Sequence, residues 1–260
     1  MPDATPLLAD SITKAGAGAA GRVVVSGSHG GLYPASLARA LGCRAVVLHD
    51  AGGGAGVAGL DWAGDTGLAA AAVAHASAPI GDAGAMLARG VISAANAPAR
   101  ALGVRPGMGC AEAARLLAAA IPPTGHAPEL REARQVLHPE GAARALVLID
   151  SASLVMPEDA GQVVVTGSHG ALFGTDPANA LRVDAALALF NDAGGAATTR
   201  LPPLDAREIA AATVAAGSAR IGEARSTWLD GVLSACNRAA GRLGARPGMA
   251  ARELVTRALA

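Results

Sequence analysis

Two glycine-bracketed Ser-His pairs carry the residue types in this chain best suited to chemistry. Gly27-Ser28-His29-Gly30 follows Val23-Val24-Val25-Ser26, and Gly167-Ser168-His169-Gly170 follows Val163-Val164-Val165-Thr166. A short valine run bounded by glycine reads as a buried strand, so each histidine stands at a strand end, where an imidazole can serve as general acid or base. The glycines would let backbone N–H groups approach an anion, and a helix starting after the loop would add favourable partial charge. Carboxylate or phosphate is the ligand such a loop suits. The competing reading is that a strand-to-helix turn needs glycine for backbone reasons and that the imidazole only holds the loop. Neighbouring side chains point apart and the Gly-x-Ser-x-Gly pattern is absent, so neither pair is read as a nucleophile with its own base.

Carboxylates at other apolar run ends supply partners. Asp50 follows Ala45 to Leu48 and Asp192 follows Ala185 to Phe190, each just before glycines. Such an Asp either orients a histidine or binds a cation, or it caps the next turn. Asp150 ends the run Ala145 to Ile149, but the serines of Asp150-Ser151-Ala152-Ser153 fall at the wrong offsets for an Asp-x-Ser-x-Ser cation site. Arg220 offers a bidentate donor for a carboxylate, the alternative being a surface pair with Glu223. The catalytic assignment is therefore His169 as acid or base, Asp192 as its partner and Arg220 as charge holder. Gly27, Ser28, His29, Asp50, Asp150, Gly167, Ser168, Gly170, Ser234 and Asn237 are assigned to substrate binding.

No metal ligands are assigned. His29, His49 and Asp50 would suit a divalent ion, but Asn191 stands opposite His49, and His-x-x-x-His and Cys-x-x-Cys spacings are absent. Any cofactor is left unknown. Gly52-Gly53-Gly54-Ala55-Gly56 lacks both the Gly-x-Gly-x-x-Gly register of a dinucleotide site and the Lys-Ser/Thr ending of a P-loop.

The elements that must position these residues occur twice. Asp10-Ser11 answers Asp150-Ser151, Tyr33 answers Phe173, and His49-Asp50-Ala51-Gly52-Gly53 answers Asn191-Asp192-Ala193-Gly194-Gly195. Ser77 to Asp82 matches Ser218 to Glu223, Gly90 to Asn96 matches Gly231 to Asn237, and Arg105-Pro106-Gly107-Met108 matches Arg246-Pro247-Gly248-Met249. Matches in one order at near-constant separation indicate internal duplication. The expected fold is α/β: two pseudo-twofold-related halves, residues 1–120 and 143–260, each a mainly parallel or mixed sheet covered by helices, joined by a linker over 121–142. A helix is expected over Ala206 to Ala216, capped by Asp205 and Glu208 and stopped by Gly217, with Gly67 to Ala76 as its counterpart. A short helix is expected over Glu129 to Leu137. Gly90 to Ile92 should be a strand followed by a helix, with Ser93 and Ser234 as N-caps, and Cys236 should lie on the apolar face of the second such helix.

Composition narrows the function classes. Apolar residues make up 52% of 260, yet aromatics only 2%, so packing must rest on small side chains. Charge balances at zero, and Lys14 is the single lysine. Without a basic stripe or stacking rings, nucleic acid is not expected as partner. No secretory signal or spanning segment is read, and three scattered cysteines suit a reduced cytoplasmic protein. The resulting expectation is a small-molecule hydrolase or lyase acting on a carboxylate-bearing substrate between the two repeats. The alternatives are a non-catalytic anion- or nucleotide-binding module and a structural assembly protein. The small-residue helices are compatible with a homo-oligomer.

Overall fold

The computed structural model describes residues 5–128 and 130–260, which form two compact units, the chain passing from one to the other between Arg131 and Glu132. Each unit is a mixed sheet with helices, so the α/β class holds.

In the first unit five strands lie in sequence order: β1 (Leu7–Ala9), β2 (Val23–His29), β3 (Ala45–His49), β4 (Ala69–Val73) and β5 (Ile92–Ala95). The first four are parallel and β5 runs antiparallel to β4. Helix α1 (Leu32–Ala40) connects β2 to β3, and α2 (Gly59–Asp65) connects β3 to β4. Crossovers of one hand moving one way across a sheet stay on one face. Ala35, Ala38, Leu60 and Ala63 accordingly join Ile12 in one layer over Val24, Val46, Leu48 and Ala70. The later helices α3 (Ala83–Arg89), α4 (Ala97–Ala101) and α5 (Cys110–Leu117) return on the opposite face. There Met86, Ala99, Cys110 and Leu117 cover Val23, Val25, Val47 and Ala71. Alternate strand residues point to opposite faces, which is why an unbroken valine run is needed where both faces are covered.

The second unit has six strands: β6 (Arg134–Leu137), β7 (Leu146–Ile149), β8 (Val163–His169), β9 (Leu187–Asn191), β10 (Ala210–Val214) and β11 (Leu233–Cys236). The four central strands are parallel, with β6 and β11 antiparallel at the edges. Helix α6 (Leu201–Ala206) lies with Leu181 against Val147, Val164 and Phe190. Helices α7 (Ala224–Leu229), α8 (Arg238–Arg242) and α9 (Ala251–Leu259) cover the other face through Ala224, Ala240, Leu254 and Val255. No helix among the described residues is long and apolar enough to cross a membrane.

Several local expectations are corrected. Ala206 to Ala216 is not a helix: α6 ends at Ala206, Glu208 takes a left-handed φ of 57°, and Ala210–Val214 is strand β10. Gly67 to Ala76 likewise contains β4. Alanine gains a few tenths of a kcal/mol per residue in a helix, whereas a backbone group left unpaired in a buried sheet costs about 1–3 kcal/mol. Pairing between two neighbouring strands therefore outweighs propensity. Asp205 does not cap its own helix, since its carboxylate accepts the Ala239 N–H at 2.9 Å.

Arg134 to Leu137 is strand, not helix, tied down by a bidentate Arg134–Asp159 pair at 2.8 and 3.0 Å; Glu129 lies outside the described residues. The late strands begin at Ile92 and Leu233, so Cys236 is in a strand, and the N-caps of α4 and α8 are Asn96 and Asn237 rather than Ser93 and Ser234. Ser93 and Ser234 sit inside β5 and β11, too early to reach the first helical N–H groups.

Candidate active site

Parallel strands bring their carboxyl ends to one edge, and most of the sequence-assigned residues stand there. Asp10, His29 and Asp50 follow or end β1, β2 and β3, while Asp150, His169 and Asp192 do so at β7, β8 and β9. In the first unit His29 is the register partner of His49; in the second His169 is the partner of Asn191.

The Gly-Ser-His-Gly loops spend their polar groups within the chain. Ser28 Oγ accepts the Ile12 N–H at 3.0 Å, and Ser168 Oγ accepts the Ala152 N–H at 2.9 Å. The Gly30 and Gly170 N–H groups donate to the carbonyls of His49 and Asn191, each at 2.8 Å. Gly31 N–H donates to His29 Nδ1 and Ala171 N–H to His169 Nδ1, at 3.1 and 3.2 Å. A Cβ at Gly27 would stand 2.6 Å from the Asp10 carbonyl oxygen, and one at Gly167 2.5 Å from the backbone of Gly222 and Glu223. These glycines thus admit the chain's own backbone.

Accepting at Nδ1 makes His29 a neutral imidazole with its proton on Nε2. Burial, and secondarily the neighbouring His49, lowers its pKa to about 4. His169 has the same loop bond and sets its ring edge-on to Phe173, 5.0 Å between centroids. His49 is 1% exposed, with Nδ1 accepting the Ala51 N–H at 3.1 Å and Nε2 at 3.0 Å from the Ala78 carbonyl. Burial depresses its pKa despite the Ala78 bond and the Asp50 charge, which pull the other way. Asn191 spans the same gap, its Oδ1 accepting from Ala193 and its Nδ2 donating to the Ala219 carbonyl.

The remaining assigned residues are placed as follows. Asp192 Oδ1 accepts the N–H groups of Gly194 and Ala216 at 3.1 and 2.9 Å. Asp150 accepts the Ala224 and Ala133 N–H groups at 3.0 and 2.8 Å. Ser234 Oγ is 3.0 Å from Thr213 Oγ1. Asn237 uses Oδ1 on the Ala211 and Ala240 N–H groups and Nδ2 on the Ile209 carbonyl, stapling α8 to β10. The exposed Arg220 pairs with Glu223 at 2.8 Å, which raises its pKa, and lies 3.8 Å from Asp230.

A residue that sequence reasoning missed lies beside Asp50. His75 donates both its backbone N–H (2.8 Å) and its ring Nδ1–H (2.9 Å) to Asp50 Oδ1. Gly52 N–H reaches the same oxygen at 3.2 Å, and Ser93 also hydrogen-bonds the carboxylate. Burial works against ionisation of Asp50, but the bonds from His75, Ser93 and Gly52 together lower its pKa. The Asp50 side chain is 9% exposed and that of His75 38%. With Nδ1–H engaged, the lone pair of His75 is on Nε2 of a half-exposed ring. The second unit has Ala216 here, its N–H on Asp192 and no imidazole. His75 was hidden because it ends an alanine run read as helix. Its absence at Ala216, the matching sequence position in the second unit, was the signal that could have found it.

Among the described residues no group of three His, Cys, Asp or Glu is placed to hold a metal ion. Comparisons with protein-family models, curated proteins and solved structures give no match to this chain.

Proposed function

We propose that this chain is a small-molecule hydrolase or lyase whose acid–base group is His75, oriented by Asp50. The observation that carries the reading is the 2.9 Å Asp50–His75 hydrogen bond at the strand-end edge, beside an imidazole face open to solvent. A carboxylate on Nδ1–H fixes the tautomer that leaves Nε2 basic, and it stabilises the imidazolium once a proton has been taken. Nε2 would remove a proton from water, giving hydrolysis, or from carbon beside a carbonyl, giving elimination; the imidazolium then returns it to the leaving group. His169, Asp192 and Arg220 are not required in this scheme. A carboxylate-bearing substrate remains the class to screen first, held by groups other than the occupied amides of Gly30 and Gly31.

The two units are also read as products of one duplication. Supporting this, Asp10 and Asp150 bond the starts of α3 and α7, and Asn96 and Asn237 staple the following helices to β4 and β10. Ala51 and Ala193 share an uncommon left-handed φ of 48° and 50°. On this reading the second unit lost, or never gained, the imidazole at Ala216.

The test is turnover of p-nitrophenyl acetate and a panel of 2- and 3-hydroxy acids, followed by NMR. His75→Gln should lower any turnover by about 10²- to 10⁴-fold, the usual worth of a positioned base, while His49→Asn leaves it intact. Turnover that survives His75→Gln in a folded protein would overturn the assignment. A second reading, a non-catalytic assembly protein, is favoured by the internal use of both Ser-His loops, and it expects no turnover from either protein.

A further inference from the structure

A second candidate site lies wholly in the second unit and is independent of His75. Residues 172–180 align in sequence with α1 but form turns and a short 3-10 helix, Pro177–Ala180. Pro177 falls where α1 has Leu37, and proline there would remove a helical hydrogen bond. A second exchange works with it. Gly59 N–H donates to the Gly30 carbonyl and Arg200 N–H to the Gly170 carbonyl, each at 2.9 Å, so Arg200 holds the place of Gly59. Gly59 lets α1 and α2 touch, since a Cβ there would lie 2.9 Å from Ala35 Cβ and 2.2 Å from the Gly31 carbonyl oxygen. Arginine cannot fit such a contact. Arg200 instead lies buried near the Phe173 and Phe190 rings, its guanidinium 5.6 and 5.2 Å from their centroids, and donates to the carbonyls of Ala171, Asn179 and Ala180. It thereby serves the Ala171 carbonyl, whose counterpart at Gly31 accepts the Ala35 N–H of α1, and its pKa falls to about 10 through burial.

Without a helix in this place, a cavity of about 620 Å³ opens beside α6, with Leu172, Pro177, Leu181, Pro203 and Ala206 among its walls. That is within the roughly 300–1,000 Å³ of small-molecule sites. Two guanidiniums border it. Arg207 is committed to Asp184 and to the carbonyls of Leu181 and Val183. Arg182, exposed at the rim, has no charge or hydrogen-bond partner among the described residues. We propose that this cavity binds a small amphipathic monoanion, its apolar body against Leu172, Leu181 and Pro203 and its carboxylate on Arg182.

The experiment is calorimetric titration of the full chain with octanoate and with its neutral isostere, octanamide. Octanoate should bind about tenfold more tightly, the worth of one charge-assisted hydrogen bond at an exposed rim. Arg182→Gln, a surface change, should bring octanoate down to the level of the amide, and Ala206→Trp should abolish binding of both by filling the cavity. Equal affinity of the two ligands, no binding of octanoate, or octanoate binding untouched by Arg182→Gln would each overturn the proposal.

Discussion

An imidazole and a carboxamide can present one acceptor and one donor across the same gap, and the ends of β3 and β9 use that equivalence. His49 takes the Ala51 N–H and approaches the Ala78 carbonyl; Asn191 takes the Ala193 N–H and donates to the Ala219 carbonyl. Both residues hold a turn whose next alanine has a left-handed φ, a conformation costing roughly 1–2 kcal/mol outside glycine. His49→Asn should therefore change stability by less than about 1 kcal/mol, whereas His49→Ala should cost about 2–4 kcal/mol by leaving a buried N–H and carbonyl unpaired. Urea midpoints of the two variants would check this, and equal losses would show that the ring's bulk matters more than its bonds. The sequence made the strand-end carboxylates and histidines visible as types. It could not say which nitrogen was already engaged, and that difference separates His49, which holds a turn, from His75, which keeps Nε2 open.

At the scale of elements, patterns dominated by one property were legible and balanced ones were not. Valine runs read as buried strands because little else explains three consecutive apolar β-formers bounded by polar residues and glycine. The alanine runs at Ala69 and Ala210 read as helix and are strands, because alanine tolerates either state and the decision passes to the partners alongside. Glycine is equally ambiguous until its neighbours are known. Gly18 has open space around its Cβ position, whereas a Cβ at Gly59 would stand 2.2 Å from the Gly31 carbonyl oxygen. Gly59→Ala should destabilise the first unit by roughly 1–3 kcal/mol through forced separation of α1 and α2. Gly18→Ala, as control, should be neutral within about 0.5 kcal/mol. Thermal unfolding of the pair reads the contrast, and similar melting temperatures would remove the close-packing account of Gly59.

At the scale of the whole molecule, one buried group in each unit couples stability to pH, and the two act in opposite directions. The pKa of His29 falls from 6.5 unfolded to about 4 folded, so its neutral form is fully favourable above 6.5 and stability is lost as pH drops toward 4. The loss is about 3 kcal/mol at most. Burial, then the Asp150 charge, raises Glu132 from 4.5 to about 7 despite a bond from Ser151. Its folded state prefers the proton, so the second unit loses stability as pH rises from 4.5 to 7 and regains it on acidification. Hydrogen exchange at pH 7.5 and 5.0, corrected for intrinsic rates, should show protection of β2 to β4 falling while that of β7 to β10 rises. Glu132→Gln should cancel the rise, and a parallel fall in both units would contradict the assignment. The α/β class and the strand-end position of the polar residues followed from the sequence alone, because hydrophobic period and glycine placement are local properties. Tertiary structure decided whether an alanine run became strand, whether a loop amide faced a ligand or its own chain, and which histidine met a carboxylate, because each depends on which distant backbone arrives beside it.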